Sequence, residues 1–99
     1  VLILIENIVG SNLNDILTGD AGANLLDGGA GNDILRGGGG SDRLLGGVGN
    51  DTLNGGLGDD ALTGGAGNDF YAFDVRGFGI DTIVDFQDGR DMLDLRGLG

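Results

Sequence analysis

From Gly28 to Ala72 the alternation of apolar and polar positions recurs every nine residues. Written in nines, the segment reads GGAGNDILR, GGGGSDRLL, GGVGNDTLN, GGLGDDALT and GGAGNDFYA. Each unit has a glycine-rich half, then an Asp, then three residues whose middle member is Leu or, in the last unit, Tyr. Two weaker units precede these in register, GSNLNDILT over 10–18 and GDAGANLLD over 19–27. In them Ser11 and Asp20 stand for the second Gly, Leu13 for the third, and Asn24 for the Asp. Seven nonapeptides therefore run unbroken from Gly10 to Ala72. An eighth follows three extra residues: Arg76–Val84 keeps two glycines, Asp81 and the apolar eighth position at Ile83.

A fixed period predicts stacked units rather than a folded-over globule. The three residues after each Asp predict a short strand, and period-two alternation turns the middle one inward. The inward column is Leu17, Leu26, Leu35, Leu44, Leu53, Leu62 and Tyr71. The GGxG segments predict tight turns, because glycine accepts positive φ without a steric penalty. Turn, strand, turn and strand return the chain to its start, so two nonapeptides make one coil. Successive coils stack about 4.8 Å apart as parallel strands. The glycine-rich loops then form two columns, and Asp residues two repeats apart lie one above the other. One column pairs Asp33 with Asp51 and Asp51 with Asp69; the other pairs Asp42 with Asp60. Weaker pairs are Asp15 with Asp33, Asn24 with Asp42, and Asp60 with Asp81.

The ends lose the period. Residues 1–9 predict an apolar strand, read either as a cap on the first rung or as a docking strand for an upstream domain. Thr82–Phe86 and Met92–Leu95 predict short strands, and Asp88-Gly89 between them is a hairpin signal. Asp85, Asp88 and Asp91 miss the EF-hand spacing and read as a solvated acidic turn. The outward positions Ile16, Leu25, Ile34 and Phe70 are more apolar than a free sheet face requires. Self-association, contact with a parent domain, or ordinary scattered surface would each account for them.

Composition narrows the function. There are 24 Gly and no Pro, Cys, Trp or His, and the formal charge is −11. Cys or His metal sites, disulfides and haem attachment lack their ligands. Ser–His and Cys–His catalysis lack a partner, and the adjacent Asp59 and Asp60 point opposite ways, so catalysis is expected in a domain outside this chain. An acidic chain without a basic patch is a poor match for nucleic acid. No apolar run reaches membrane-spanning length, and Val1–Ile5 has no basic segment before it, so it does not read as a signal peptide. A start without Met reads as a fragment or excised module.

What remains is a hard cation. Glycine-rich loops leave their carbonyls unscreened, and each Asp adds an anionic oxygen. Calcium takes six to eight such oxygens at about 2.3–2.6 Å. With one apolar side chain per nonapeptide and stacked like charges, the chain is expected to be largely unfolded without metal and folded with it.

The five tandem GGxGxD units resemble the RTX, or hemolysin-type, calcium-binding nonapeptide repeats of secreted bacterial proteins. The expected fold is therefore all-β: a right-handed parallel β-roll (a β-solenoid) with two nonapeptides per coil and capping strands at both ends. Residues 1–9 would form the N-terminal cap, 10–72 the seven repeats, and 73–99 a degenerate repeat and C-terminal cap. The resemblance implies that the lower loop of each site gives the carbonyls of positions two and four and its Asp. The upper loop gives the carbonyls of positions one and three and its Asp. Carried over, the first site uses Gly29, Gly31, Asp33, Gly46, Val48 and Asp51. The site of the opposite column uses Gly38, Gly40, Asp42, Gly55, Leu57 and Asp60. The third uses Gly47, Gly49, Asp51, Gly64, Ala66 and Asp69. Three calcium ions are expected from these, and up to six with the degraded loops.

The resemblance also implies secretion by a type I pathway, with IDTIVDFQDGRDMLDLRGLG similar to the segment that closes such blocks. It implies a folding and stabilising role at the C-terminal end of a larger protein. The alternative is calcium-dependent binding of a polysaccharide or surface, with Arg36 and Arg43 near one face.

Overall fold

The computed structural model describes residues 5–73, 81–85 and 91–94. Their ten strands are β1 (Ile5–Val9), β2 (Ile16–Thr18), β3 (Ala23–Asp27), β4 (Ile34–Arg36), β5 (Arg43–Leu45), β6 (Thr52–Asn54), β7 (Ala61–Thr63), β8 (Phe70–Ala72), β9 (Thr82–Ile83) and β10 (Met92–Asp94). No helix occurs among the described residues. Odd strands build one sheet in the order β1-β3-β5-β7-β9, and even strands build the other in the order β10-β8-β6-β4-β2. Every pairing is parallel. The register steps by one coil: Leu17 faces Leu35, Leu35 faces Leu53, and Leu53 faces Tyr71. This is the β-solenoid that the period predicts, with two nonapeptides per coil.

The core is the inward column. Leu26, Leu35, Leu44, Leu53, Leu62 and Tyr71 are completely buried, and Ile8, Leu17 and Ile83 pack against them partly covered. Leu17 lies in β2, the edge strand of its sheet, which explains its partial cover. Phe73 joins the core at the other end; it lies where the period stops, so no repeat position marked it.

Backbone hydrogen bonds join the coils beyond the three-residue strands. The first Gly of a repeat donates its N–H to the last carbonyl of the coil above, as in Gly28 to Leu45 and Gly46 to Thr63, both 2.8 Å. The residue after each Asp donates to the Asp carbonyl of the coil below, as in Thr52 to Asp33, 2.8 Å. Two glycines in each of the five intact loops take positive φ, for example Gly47 at 89° and Gly49 at 122°. A Cβ on either would also strike the carbonyl of Gly29 or Gly31 in the coil below. The third position needs neither freedom, which is why Ala30, Gly39, Val48, Leu57 and Ala66 all occur there.

The C-terminal strands differ from the hairpin expectation. β9 pairs parallel with β7, and β10 pairs parallel with β8 in the other sheet. The segment continues the winding because each sheet offers an unpaired edge, which a local hairpin would leave open. The Asp88-Gly89 turn itself lies outside the described residues, as do 76–80 of the eighth repeat.

The outward positions are covered unevenly. Ile16 is 70% exposed, whereas Leu25, Ile34 and Phe70 are half-buried by their neighbours along the sheet.

The buried column sets stability. Leu44→Ala in the calcium-saturated protein should lower unfolding free energy by about 2–5 kcal/mol, while Thr52→Ala on the outward face should change it by under about 0.5 kcal/mol. Denaturant titrations at fixed calcium measure both.

Candidate calcium sites

Each loop delivers its Asp to the inside of the turn. Asp33, Asp42, Asp51, Asp60 and Asp69 are 1–2% exposed. One oxygen of each has a structural task. Asp33 donates its N–H to Asp51 Oδ1, and Asp51 donates to Asp69 Oδ1, at 2.8 and 2.9 Å. In the other column Asp42 donates to Asp60 Oδ1, 2.8 Å. All three pairs expected from the spacing are therefore formed. The weaker pairs obey the same rule: Asp15 N–H to Asp33 Oδ1, Asn24 N–H to Asp42 Oδ1 and Asp60 N–H to Asp81 Oδ1 are each 2.8 Å. Asp81 keeps its place although 21 residues, not 18, separate it from Asp60.

The second oxygen has no task within the protein. Oδ2 of Asp33, Asp42, Asp51, Asp60, Asp69 and Asp81 is buried without a hydrogen-bond partner. Leaving one such buried group unsatisfied costs about 1–3 kcal/mol, and more if it is charged. A methyl group on Gly28 would lie 2.5 Å from Asp33 Oδ2 and 2.8 Å from the Gly46 carbonyl. On Gly46 it would lie 2.6 Å from both Asp51 Oδ2 and the Gly64 carbonyl. The unsatisfied carboxylate oxygen thus sits beside the first carbonyl of the next coil, and glycine at position one leaves that space open. No group of three or more His, Cys, Asp or Glu able to hold an ion occurs among the described residues. The oxygens gathered here are carbonyls with one Asp from each coil, a hard donor set that suits calcium.

Loop 19–24 displays the full geometry. Asn24 Nδ2 takes the place that Oδ2 holds in the other loops. It donates to the Gly22 carbonyl at 2.9 Å, Asp42 Oδ1 at 3.2 Å, the Gly37 carbonyl at 3.4 Å and the Asp20 carbonyl at 3.5 Å. These are the carbonyls of positions two and four below, and of position one and the Asp above. The corresponding atoms of the next loops belong to Gly29, Gly31, Gly46 and Asp51, and to Gly38, Gly40, Gly55 and Asp60. Position-three residues Val48 and Leu57 turn their side chains to solvent, at 65% and 51% exposure, so only their backbone is available to a site.

Burial and stacking charge these loops with strain. Desolvation pushes Asp51 up to about 7, helped by the charges of Asp69 and Asp33. It pushes Asp60 to about 7, helped by Asp81 and Asp42, and Asp69 to about 6, helped by Asp91 and Asp85. Asp42 and Asp81 are raised, chiefly by burial. Tyr71 is also raised by burial, and then by the charge of Asp85.

The ends are finished differently. Asp15 Oδ2 accepts the Ser11 N–H at 2.7 Å within its own loop. Asp85 is no solvated acidic turn: its Oδ1 and Oδ2 accept the N–H groups of Gly64 and Gly65 at 2.9 and 2.8 Å, and its Oδ1 accepts the Tyr71 hydroxyl at 3.2 Å. The glycine-rich turn offers N–H groups there with no regular coil above it, and a carboxylate satisfies them. Asp91 likewise accepts the Asp69 N–H at 2.9 Å, extending the column across a 22-residue gap that the nonapeptide count passed over. Asp88 lies outside the described residues.

One loop column also carries an asparagine ladder. Asn32, Asn50 and Asn68 each donate their N–H to the side-chain oxygen of Asn14, Asn32 and Asn50, all at 2.8 Å. Asn recurring every second repeat was its signal. Arg36 and Arg43 do not share a face: Arg36 ends β4 of the even sheet and Arg43 begins β5 of the odd one. Successive nonapeptides alternate sheets, so these two outward side chains lie on opposite sides.

The raised carboxyls fix the sign of a pH effect. Their folded pKa lies above the usual value near 4, so the metal-free roll is most stable below about pH 4 and loses stability as pH climbs through 6–7. In protein stripped of calcium and held in calcium-free buffer, strand content by circular dichroism should rise on acidification from pH 7 to pH 4. In calcium the trend reverses, with the calcium midpoint rising as pH falls below 7.

A search of curated proteins gives no match. The family model for the RTX calcium-binding nonapeptide repeat, which describes four copies, matches twice, over residues 9–44 and 36–71. That match covers most of the chain, including every intact loop and the Asp residues of both columns up to Asp69. The chain belongs to the RTX calcium-binding nonapeptide repeat family, and its fold is the calcium-binding β-roll.

Proposed function

We propose that this roll is a calcium-triggered folding module of a secreted bacterial protein, placed after the domain it serves. The observation that carries it is the row of buried Asp oxygens without partners, those of Asp33, Asp42 and Asp51 lying beside the first backbone carbonyl of the next coil. When bound, calcium supplies the positive charge and the coordination that these oxygens lack. Asp33 and Asp51, with the carbonyls of Gly29, Gly31, Gly46 and Val48, hold the first ion. Asp42 and Asp60, with Gly38, Gly40, Gly55 and Leu57, hold the second. Asp51 and Asp69, with Gly47, Gly49, Gly64 and Ala66, hold the third. Asp51 serves two sites, accepting from the coil below while its own N–H reaches the coil above.

Extracellular calcium modules bind at about 10⁻⁴–10⁻³ M. Such sites stay empty inside a cell and fill outside it. The chain then passes a secretion channel unfolded and folds on the far side. Resemblance to secreted hemolysin-type repeats supports this setting, and no helix among the described residues is long and apolar enough to cross a membrane. The polysaccharide reading loses its Arg pair, because Arg36 and Arg43 lie on opposite sheets.

Calcium titration at pH 7 should convert a disordered circular dichroism spectrum to a strand spectrum, and excess EGTA should reverse it. A strand spectrum indifferent to EGTA would contradict the reading. Asp51→Ala should lose two calcium ions by calorimetry, and Asp60→Ala should lose the ion it shares with Asp42 and keep both ions of the Asp51 column.

A further inference from the structure

We infer that Asn24 takes over the work of a cation: its side-chain amide hydrogen-bonds the oxygens that line the first cage of the even-numbered repeats and keeps calcium out of it. This rests on the calcium reading above and concerns a cage whose oxygens the chain bridges with its own side chain.

The cage between loops 19–24 and 37–42 has the same walls as the later ones. In the later loops an Asp oxygen holds the matching place in the ring of oxygens, without a partner. Here that place is held by a nitrogen carrying two protons, and the amide's own Oδ1 is the atom left buried without a partner. It lies within 2.9–3.5 Å of the Asp20, Gly22 and Gly37 carbonyls and of Asp42 Oδ1. Asn24 is 4% exposed, so its amide is shielded from water. The positive ends of the two N–H dipoles point at oxygens that an ion would otherwise draw together. An ion in this cage would have to displace the amide from its hydrogen bonds. Turning the amide over would gain one neutral oxygen ligand in place of a carboxylate.

The loop that holds Asn24 is shaped for this. Asp20 Oδ1 accepts the Gly22 N–H at 2.9 Å, closing the turn through a side chain. The glycines of this loop do not take the positive φ seen at the second and fourth positions of the intact loops. Asn24 lies within β3, whose five residues Ala23–Asp27 pair throughout with β1. This first coil therefore has closed loop geometry and the longest strand pairing of the roll. It gives the later, ion-dependent coils an edge on which to form.

The test compares the wild-type chain with Asn24→Asp in calorimetry and native mass spectrometry at saturating calcium. Asn24→Asp restores the carboxylate and should bind one more calcium ion than the wild type. Its metal-free form should be less structured, because two carboxylates then face each other across the cage. Equal stoichiometry in the two chains overturns the inference while leaving calcium binding intact. A wild-type chain that takes up no calcium overturns the reading above and this one with it. Crystals of the wild type in which a lanthanide replaces calcium provide a check that needs no variant. Anomalous peaks are expected between the later loops and none beside Asn24; a peak beside Asn24 overturns the inference.

Discussion

A carboxylate buried without a partner is the constraint on which the rest of the roll depends. Each intact nonapeptide places one Asp inside its turn, uses Oδ1 to receive the N–H of the coil below, and leaves Oδ2 unsatisfied. The same side chain therefore locks the register and creates the demand for a cation. Neither role is separable by position. Removing the Asp breaks the ladder, and keeping it without a counter-charge stacks like charges a coil apart. One apolar side chain per strand is too little to override that repulsion.

Glycine is the other half of the design. At position one it leaves open the space between Asp33 Oδ2 and the Gly46 carbonyl. At positions two and four it supplies the backbone conformation that brings carbonyls of one coil under the next. Hydrophobic packing, by contrast, is carried by a file one side chain wide. It defines what is inside but leaves the loops to define how tightly coils approach.

Nearly all of this was legible in the chain because a period is a geometric statement. The nine-residue spacing placed the leucines in one column and the Asp residues in two, and both appear where the spacing puts them. The Leu13, Asp20 and Asn24 departures marked the loops that turn out to be finished by side chains. Legibility stopped where the period did. Phe73, Asp85 and Asp91 take part in the core or the loop ladder through contacts that close one end of a stack. Such contacts depend on what lies opposite in space, which no count along the chain reveals. The Asp88-Gly89 signal misled for a related reason: turn chemistry reports a change of direction, and not which strand the chain joins afterwards. The asparagine ladder runs at the same two-repeat spacing as the Asp pairs, but a neutral side chain at an exposed loop position carries neither the charge nor the apolar pattern that marks the other columns.

That doubling has a consequence for how such a chain can grow. The ladder Asn14, Asn32, Asn50 and Asn68 occupies one flank only; the opposite flank has Ala23, Ser41 and Asp59 at the same place. Inserting or losing a single nonapeptide would move every later unit to the wrong flank and interrupt the amide file. Gene duplication or deletion in pairs would lengthen or shorten the solenoid and leave both flanks in phase. The heritable unit is thus the whole turn, although the smallest legible motif is half of it.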